Sequence, residues 1–448
     1  MKLPEQFLKS ISNAKGFDKE AFEKVHASEE RITSVRLNPF KNIDQDIDLG
    51  ERTLWCDNGF YLKERPSFTF DPLFHAGTYY VQEAGSMFLQ YALKNSVDLK
   101  KDITVLDLCA APGGKSTLIN DNITEESILI SNEVIKTRAD ILSYNLSKWG
   151  TCNAAVTNCD PSVLGKLPEI FDVIVTDVPC SGSGLFRKQP EAVKEWSLEN
   201  VEHCSVRQKR ILGDVLNCLK KDGVLIYSTC SYSEAENERI VEWLLKEFEM
   251  ELISLPIEKD WGIVDTGLGY RFYPNLTKSE GFFCAVLKKV SGEEYHSYKP
   301  KKNNLERPSN IQQKLFSEYL KCNDKVIAGF KNEFKLMNKA LHEFYNLFGK
   351  ELYFKKLGTV LGEFKHNDLI PDHELANSIY VSDSIPQYEL NKTESISFLK
   401  KENLNLKAQK GICLMTYKKQ GLGWAKVLDN RINNYLPKNF RILSNEEF

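Results

Sequence analysis

"ITVLDLCAAPGGKSTLI", residues 103–119, runs from an apolar strand pattern through a tight Pro-Gly-Gly turn into the start of a helix. That order presents backbone N–H groups and a helix N-terminus to a nucleotide-like ligand. Three ligand classes compete for such a loop. A phosphate-binding P-loop needs a glycine five places before Gly114, and that place is Cys109. A dinucleotide fingerprint needs Gly-x-Gly-x-x-Gly, and "CAAPGG" supplies neither of its first two glycines. S-adenosylmethionine needs close backbone approach at its amino-acid end but no pyrophosphate cradle, and Gly113 and Gly114 permit that approach.

Outward from this loop, residues 103–289 alternate short β-branched runs with longer helical stretches, the pattern of stacked βαβ units. Strands are expected at 103–108, 127–132, 153–158, 171–176, 223–229 and 281–289, with helices at 114–122, 134–148, about 200–221 and 234–248. This is an α/β fold, a Rossmann-like open sheet, mostly parallel and covered on both faces. The last segment, following "GYRFYPNLTKSE", is expected to be one arm of a closing hairpin and so an antiparallel edge. Ligands of such sheets bind beyond the carboxyl ends of the strands. Glu133 ends the second strand, where a carboxylate can accept both ribose hydroxyl hydrogens, and Asp160 follows the third, within reach of an adenine edge. Either acid could instead be a helix or turn cap.

Composition narrows the classes. The chain has 448 residues, 42% apolar and 27% charged, which describes a globular protein with more than one core. No apolar run approaches the roughly 18 to 20 residues of a membrane span, and the acid-bearing first stretch does not resemble a signal peptide. A cytoplasmic protein with no membrane partner is expected. The 11 cysteines include no Cys-x-x-Cys pair or Cys/His zinc spacing, so no metal is expected and most of these thiols are ordinary small buried groups. A formal net charge of −3 excludes a surface that is basic throughout, though not a local basic patch.

Two of the cysteines stand apart. "TDVPC" (176–180) and "STCSYS" (228–233) each place a thiol at the end of an expected strand. Carbon 5 of cytosine is a poor nucleophile, so methylating it requires a thiolate to add at carbon 6, an acid touching the ring nitrogens, and a base to remove the carbon 5 proton. The two stretches offer these parts. Ser233 and Glu236 have capping-box spacing, and a helix starting there would favour a Cys230 thiolate through its dipole. Spacing alone does not decide which thiol attacks.

"LDLCAAPGGKS", "DVPCSGSGLFRKQPEAVKEW" and "YSTCSYSEAENE" together closely resemble the RNA cytosine-C5 methyltransferases of the Fmu/Sun family, over about residues 30–290. The resemblance implies a class I methyltransferase fold with S-adenosylmethionine as cofactor, bound by Cys109, Ala110, Ala111, Pro112, Gly113, Gly114, Lys115, Glu133, Asp160 and Asp177. It further implies Cys230 as nucleophile and Cys180 as the thiol that assists product release. Asp177 would also hydrogen-bond the cytosine, with Lys115 beside that acid. Val178 departs from the alanine that relatives often carry.

The flanks would choose the RNA. Residues 1–75 read as a small N-terminal α+β module expected to bind RNA, 76–290 as the catalytic domain, 291–310 as a Ser-, Asn-, Pro- and Lys-rich linker, and 311–448 as a C-terminal region. Residues 407–441 carry eight Lys or Arg against the single acid Asp429, interleaved with Tyr417, Trp424 and Tyr435, as in an RNA-binding β module. With "VLGEFKHNDLIPDHELA" (360–376), this tail resembles the C-terminal part of the bacterial RsmF-type members, which carry a PUA-like domain and act on 16S ribosomal RNA or the small ribosomal subunit. The expected enzyme acts as a monomer. The alternatives are a transfer RNA substrate, a P-loop-like ATPase with "FDVIVTD" as its second motif, and a non-catalytic RNA-binding protein.

Overall fold

The computed structural model describes residues 3–28, 30–41, 43–292, 305–366, 368–406 and 408–444. At its centre lies a sheet of ten described strands. Five of them are parallel, in the spatial order Leu219–Thr229, Phe171–Asp177, Thr104–Asp107, Ile128–Asn132, Ala154–Thr157. Strands buried on both faces must be apolar at nearly every position, and Ile128–Asn132 and Ala154–Thr157 are buried throughout. Alternate side chains enter two separate cores. Leu106, Ile130, Ile174 and Leu225 face Ile211 and Leu212 of the Leu198–Val215 helix and Val241 and Leu244 of the Glu238–Glu247 helix. Val105, Leu129, Val175 and Ile226 face the Phe88–Ser96, Gly114–Asn122 and Lys136–Trp149 helices.

The doubly wound sheet expected from the sequence is therefore present, and all six expected strands form. Phe282–Lys289 runs antiparallel to Leu219–Thr229 and forms a hairpin with Tyr270–Phe272. It is not the edge, because Tyr270–Phe272 and Met250–Leu252 pair outside it. The strand expected at 223–229 starts earlier, at Leu219, since the preceding helix stops at Val215 and Leu219 pairs with Phe171. No helix among the described residues is long and apolar enough to cross a membrane.

The N-terminal module is two helices, Glu5–Ser10 and Lys19–Ala27, and a four-stranded sheet in the order Leu49–Arg52, Gly59–Leu62, Ser34–Leu37, Tyr79–Val81. Its fourth strand lies beyond residue 75, so the module runs past that boundary. Buried Arg36 carries it onto the glycine loop: Nε donates to Gln82 Oε1 (2.9 Å), one Nη to Thr117 Oγ1 (2.6 Å) and Gly114 O (3.3 Å), and the other pairs with Asp121.

The C-terminal region departs from the sequence-based expectation of a unit joined by a linker. Most of the expected linker, residues 293–304, lies outside the described residues. Leu305 already packs on the central core, and Ser309 closes a capping box on the Asn310–Tyr319 helix. Phe354–Leu357 then pairs antiparallel with Ala154–Thr157 and extends the central sheet, while Leu341, Phe344 and Phe348 fill one of its two cores. The region also forms two four-stranded sheets. The last of them shares a core with the N-terminal module, where Cys413, Met415, Leu422 and Ala425 meet Val35, Phe70, Leu73 and Tyr79.

Candidate active site

The glycine loop closes over the carboxyl ends of the parallel strands. Gly113 has φ 113°, a left-handed conformation that side chains resist, and a Cβ there would also lie 3.2 Å from Leu142 Cδ1. The loop is pinned at three carbonyls or amides: Ala110 N donates to Asn132 O (3.0 Å), Arg138 to Ala111 O (2.8 Å) and Asn145 Nδ2 to Pro112 O (2.8 Å). The Ala111–Pro112 bond is cis. Cys109 packs on the core below, and burial pushes its thiol up to about 12, so it is no nucleophile at neutral pH.

Around this loop stand four acids. Glu133 is buried, accepts from Ile135 N (2.9 Å) and faces Arg138 at 3.6 Å. Asp160 caps the short Pro161–Leu164 helix, accepting from Ser162 N (3.0 Å) and Ser162 Oγ (2.8 Å), with Arg210 at 3.7 Å. Its carboxyl is held below the usual range, chiefly by the Ser162 hydrogen bonds. Asp107, one strand over from Asp177, takes Ser116 Oγ at 2.6 Å on one oxygen and leaves Oδ1 buried without a partner among the described residues. Burial pushes this carboxyl up to about 7. An orphaned carboxylate oxygen under a glycine turn suits a polar ligand with an amino-acid end, which would supply the missing partner.

Lys115 Nζ donates to Asp177 Oδ2 at 2.8 Å, and Ser228 Oγ to Asp177 Oδ1 at 3.0 Å, so both carboxylate oxygens are oriented. Burial alone would lower Lys115, but the charge and hydrogen bond of Asp177 outweigh it and hold the ammonium above its usual value. The two thiols follow on the next turns. Cys180 Sγ and Cys230 Sγ lie 3.0 Å apart, and both cysteines are free. The hydrogen bond between Cys180 and Cys230, then burial, holds the Cys180 thiol well above its ordinary value. Gly184 N donates to Cys230 O (2.8 Å), and a Cβ on Gly184 would fall 2.7 Å from that oxygen and 2.5 Å from Gly281 O. Only glycine lets these three loops meet.

What joins the loops was not legible in the sequence. Glu236 does not make a capping box with Ser233: that serine forms no side-chain cap, a 3-10 turn spans Glu234–Glu236, and the helix starts at Glu238. Glu236 turns inward instead, fully buried, and accepts from Ser181 N, Ser181 Oγ and Ser231 Oγ, each at 2.6 Å. Arg36 and Asp107 likewise carried no motif that singled them out. The signal for Glu236 was a lone acid in a Ser-rich run after a thiol, which capping explained equally well.

The tail aromatics are also placed differently from the sequence expectation. Trp424 is 1% exposed and donates its indole N–H to Asp372 O (2.8 Å). Tyr417 is buried with its hydroxyl on Asp46 (2.7 Å), and Tyr435 packs on the core around Trp424. They hold the sheet together and are not free to stack on bases. The basic side chains do reach the surface: Lys410, Lys419, Lys426, Arg431, Lys438 and Arg441 are exposed. Among the described residues no group of three or more His, Cys, Asp or Glu is arranged to hold a metal.

Comparison with known proteins places these features in order along the chain. A family model described as the N-terminal domain of 16S rRNA methyltransferase RsmF matches residues 3–84, one described as 16S rRNA methyltransferase RsmB/F matches 95–288, and one described as the methyltransferase RsmF PUA domain matches 386–442. The Ribosomal RNA small subunit methyltransferase F of Shewanella piezotolerans is 30% identical over 402 residues, covering 86% of this chain and 84% of that one. That of Aliivibrio fischeri is 30% identical over 431 residues, covering 90% of each. Among solved structures, a methyltransferase homolog protein from Pyrococcus horikoshii is 27% identical with a TM-score of 0.53, covering 63% of this chain and 94% of that one.

Proposed function

The chain belongs to the RsmB/F family of 16S rRNA methyltransferases, and from that premise we propose that it methylates carbon 5 of a cytosine in 16S ribosomal RNA. The observation that carries this reading is the pair of strand-end thiols 3.0 Å apart, next to a carboxylate oriented by Lys115. One thiol can open the cytosine ring system to attack while the other waits on the same side.

The loop from Cys109 to Gly114, with Glu133 for the ribose hydroxyls and Asp160 toward the adenine, would hold S-adenosylmethionine. When bound, this cofactor supplies an electrophilic methyl group on a sulfonium. Asp177 hydrogen-bonds the nitrogen edge of the flipped cytosine, and Lys115 keeps that carboxylate aimed. Cys230 adds as thiolate to carbon 6, and the electron pair released to carbon 5 takes the methyl group. Removal of the carbon 5 proton then lets the carbon–sulfur bond break and the ring double bond return. Cys180 assists this release as a thiolate that accepts the carbon 5 proton, while the electron pair left at carbon 5 re-forms the ring double bond and Cys230 departs as thiolate. The N-terminal module and the basic tail surface would grip the RNA, and the protein is expected to act as a monomer.

Separating the two thiols tests the mechanism. Cys230→Ala abolishes methyl transfer and gives no covalent RNA complex on denaturing gels. Cys180→Ala still transfers the methyl group but stays bonded to its methylated RNA. The reverse pattern would exchange the two roles. For the substrate, bisulfite sequencing of ribosomal and transfer RNA from a deletion strain is expected to show one cytosine of 16S rRNA losing protection; loss in a transfer RNA instead would redirect the assignment.

A further inference from the structure

We propose that Glu236 is a positioning residue that sets the two thiols in register by tying the loop after Cys180 to the loop after Cys230; the inference rests on the thiol chemistry proposed above. Ser181 and Ser231 are the residues immediately following the two cysteines, and a single carboxylate takes hydrogen bonds from both. One oxygen holds Ser181 N; the other holds Ser181 Oγ and Ser231 Oγ, all at 2.6 Å. The geometry is fixed from behind as well. Asn237 accepts from Thr229 Oγ1 (2.6 Å) and donates to Ser231 O (2.8 Å), bracketing Cys230 on both sides. Tyr227 Oη donates to Glu236 O (2.5 Å), so the backbone that carries the carboxylate is anchored to the Cys230 strand.

Burial raises the Glu236 carboxyl above its usual range, against the pull of the Ser181 and Ser231 hydrogen bonds, so holding it ionised opposes folding at neutral pH. What the charge does secure is geometry: an ionised carboxylate accepts from three donors at once, whereas the other side-chain ties between the loops, Ser181 Oγ with Ser231 Oγ (3.4 Å) and Ser183 Oγ with Ser231 Oγ (3.4 Å) and Tyr232 N (3.0 Å), are neutral contacts, two of them long. A displacement of about 1 Å in a reacting group can cost on the order of a hundredfold in rate.

The test uses the full chain with 16S rRNA, measuring kcat, KM for RNA, cofactor affinity, melting temperature and covalent adduct. Glu236→Ala is expected to lower kcat by about a hundredfold with cofactor affinity and KM little changed, and to accumulate RNA adduct, because the release thiol no longer faces the bond it must help break. Glu236→Gln, which keeps the shape and can still bridge the serines once their hydroxyls rotate, should recover most of the loss. Ser231→Ala removes the tie from Glu236 to the Cys230 loop, together with the contact from Ser233 N (3.1 Å), while leaving Glu236 on Ser181, and should show the same adduct more weakly; it decides the matter if Glu236→Ala does not fold. A folded Glu236→Ala with wild-type kcat and no adduct, or an equally unaffected Ser231→Ala, overturns the proposal. The mechanism itself stands or falls separately, on whether Cys180→Ala traps RNA.

Discussion

Asp107 and Lys115 sit under the same loop and respond to burial in opposite ways. Lys115 has Asp177 at 2.8 Å and keeps its charge, whereas Asp107 has only Ser116 and an orphaned oxygen. Burial therefore lifts Asp107 from 3.8 to about 7. Between those values the folded protein binds a proton that the unfolded chain has released, so stability falls as pH rises through that window and is level above it. Thermal melts of the ligand-free protein at pH 5 and pH 8 should show this loss, and Asp107→Asn should remove it, a difference of about 1 to 4 kcal/mol between the two proteins' pH responses. Parallel pH curves for the two proteins would mean that Asp107 is not a buried charge.

At the scale of elements, the C-terminal region is structural to the catalytic sheet. Phe354–Leu357 covers the edge of Ala154–Thr157, and Phe344 reaches Phe171 at a ring separation of 6.3 Å. Glu374 accepts from Ser147 Oγ and Lys356 Nζ (2.6 Å each) and from Val360 N (2.8 Å), a buried lock between a catalytic-domain helix and the C-terminal strands. A fragment ending at residue 290 would expose this core and a bare strand edge. It is expected to aggregate and to lose cofactor binding, read by light scattering and calorimetry. In the full chain Phe344→Ala should cost about 3 to 5 kcal/mol and lower a single cooperative melting transition. A soluble fragment that binds cofactor with native affinity would restore the picture of separable units.

Over the whole molecule, the N-terminal module and the C-terminal sheet close on each other through a shared core, with Lys418 and Tyr417 both on Asp46. The exposed lysines and arginines of residues 407–441 therefore stand on a sheet whose core is shared with the N-terminal module. Charge reversal at Lys419, Lys426 and Arg431 is expected to weaken RNA binding and flatten its salt dependence, by roughly 0.7 to 0.9 in log–log slope for each phosphate no longer neutralised. Trp424→Ala should act through the fold instead, lowering the melting temperature by cavity formation. Filter binding across a salt series separates the two effects; an unchanged slope in the charge-reversed protein would remove this surface from the RNA path.

Local sequence determined a great deal here. The apolar runs at 128–132 and 171–177, the strand-turn-helix around Gly113 and the thiols at 180 and 230 all report on strands whose burial and order follow from periodicity and short-range turn chemistry. Helix ends were less legible, because a run such as "SEAENE" satisfies a capping pattern and a buried-acid pattern alike, and only the serines of a second loop decide between them. The same holds for Trp424 and Tyr417, whose spacing fits either a stacking surface or a core. What the tertiary structure alone decided is every interaction between residues far apart in the chain: Arg36 on Gly114, Glu236 across to Ser181, Phe354–Leu357 on the central sheet. Those pairings depend on which surfaces the finished sheet leaves to be covered, and periodicity in a single segment carries no information about its distant partner.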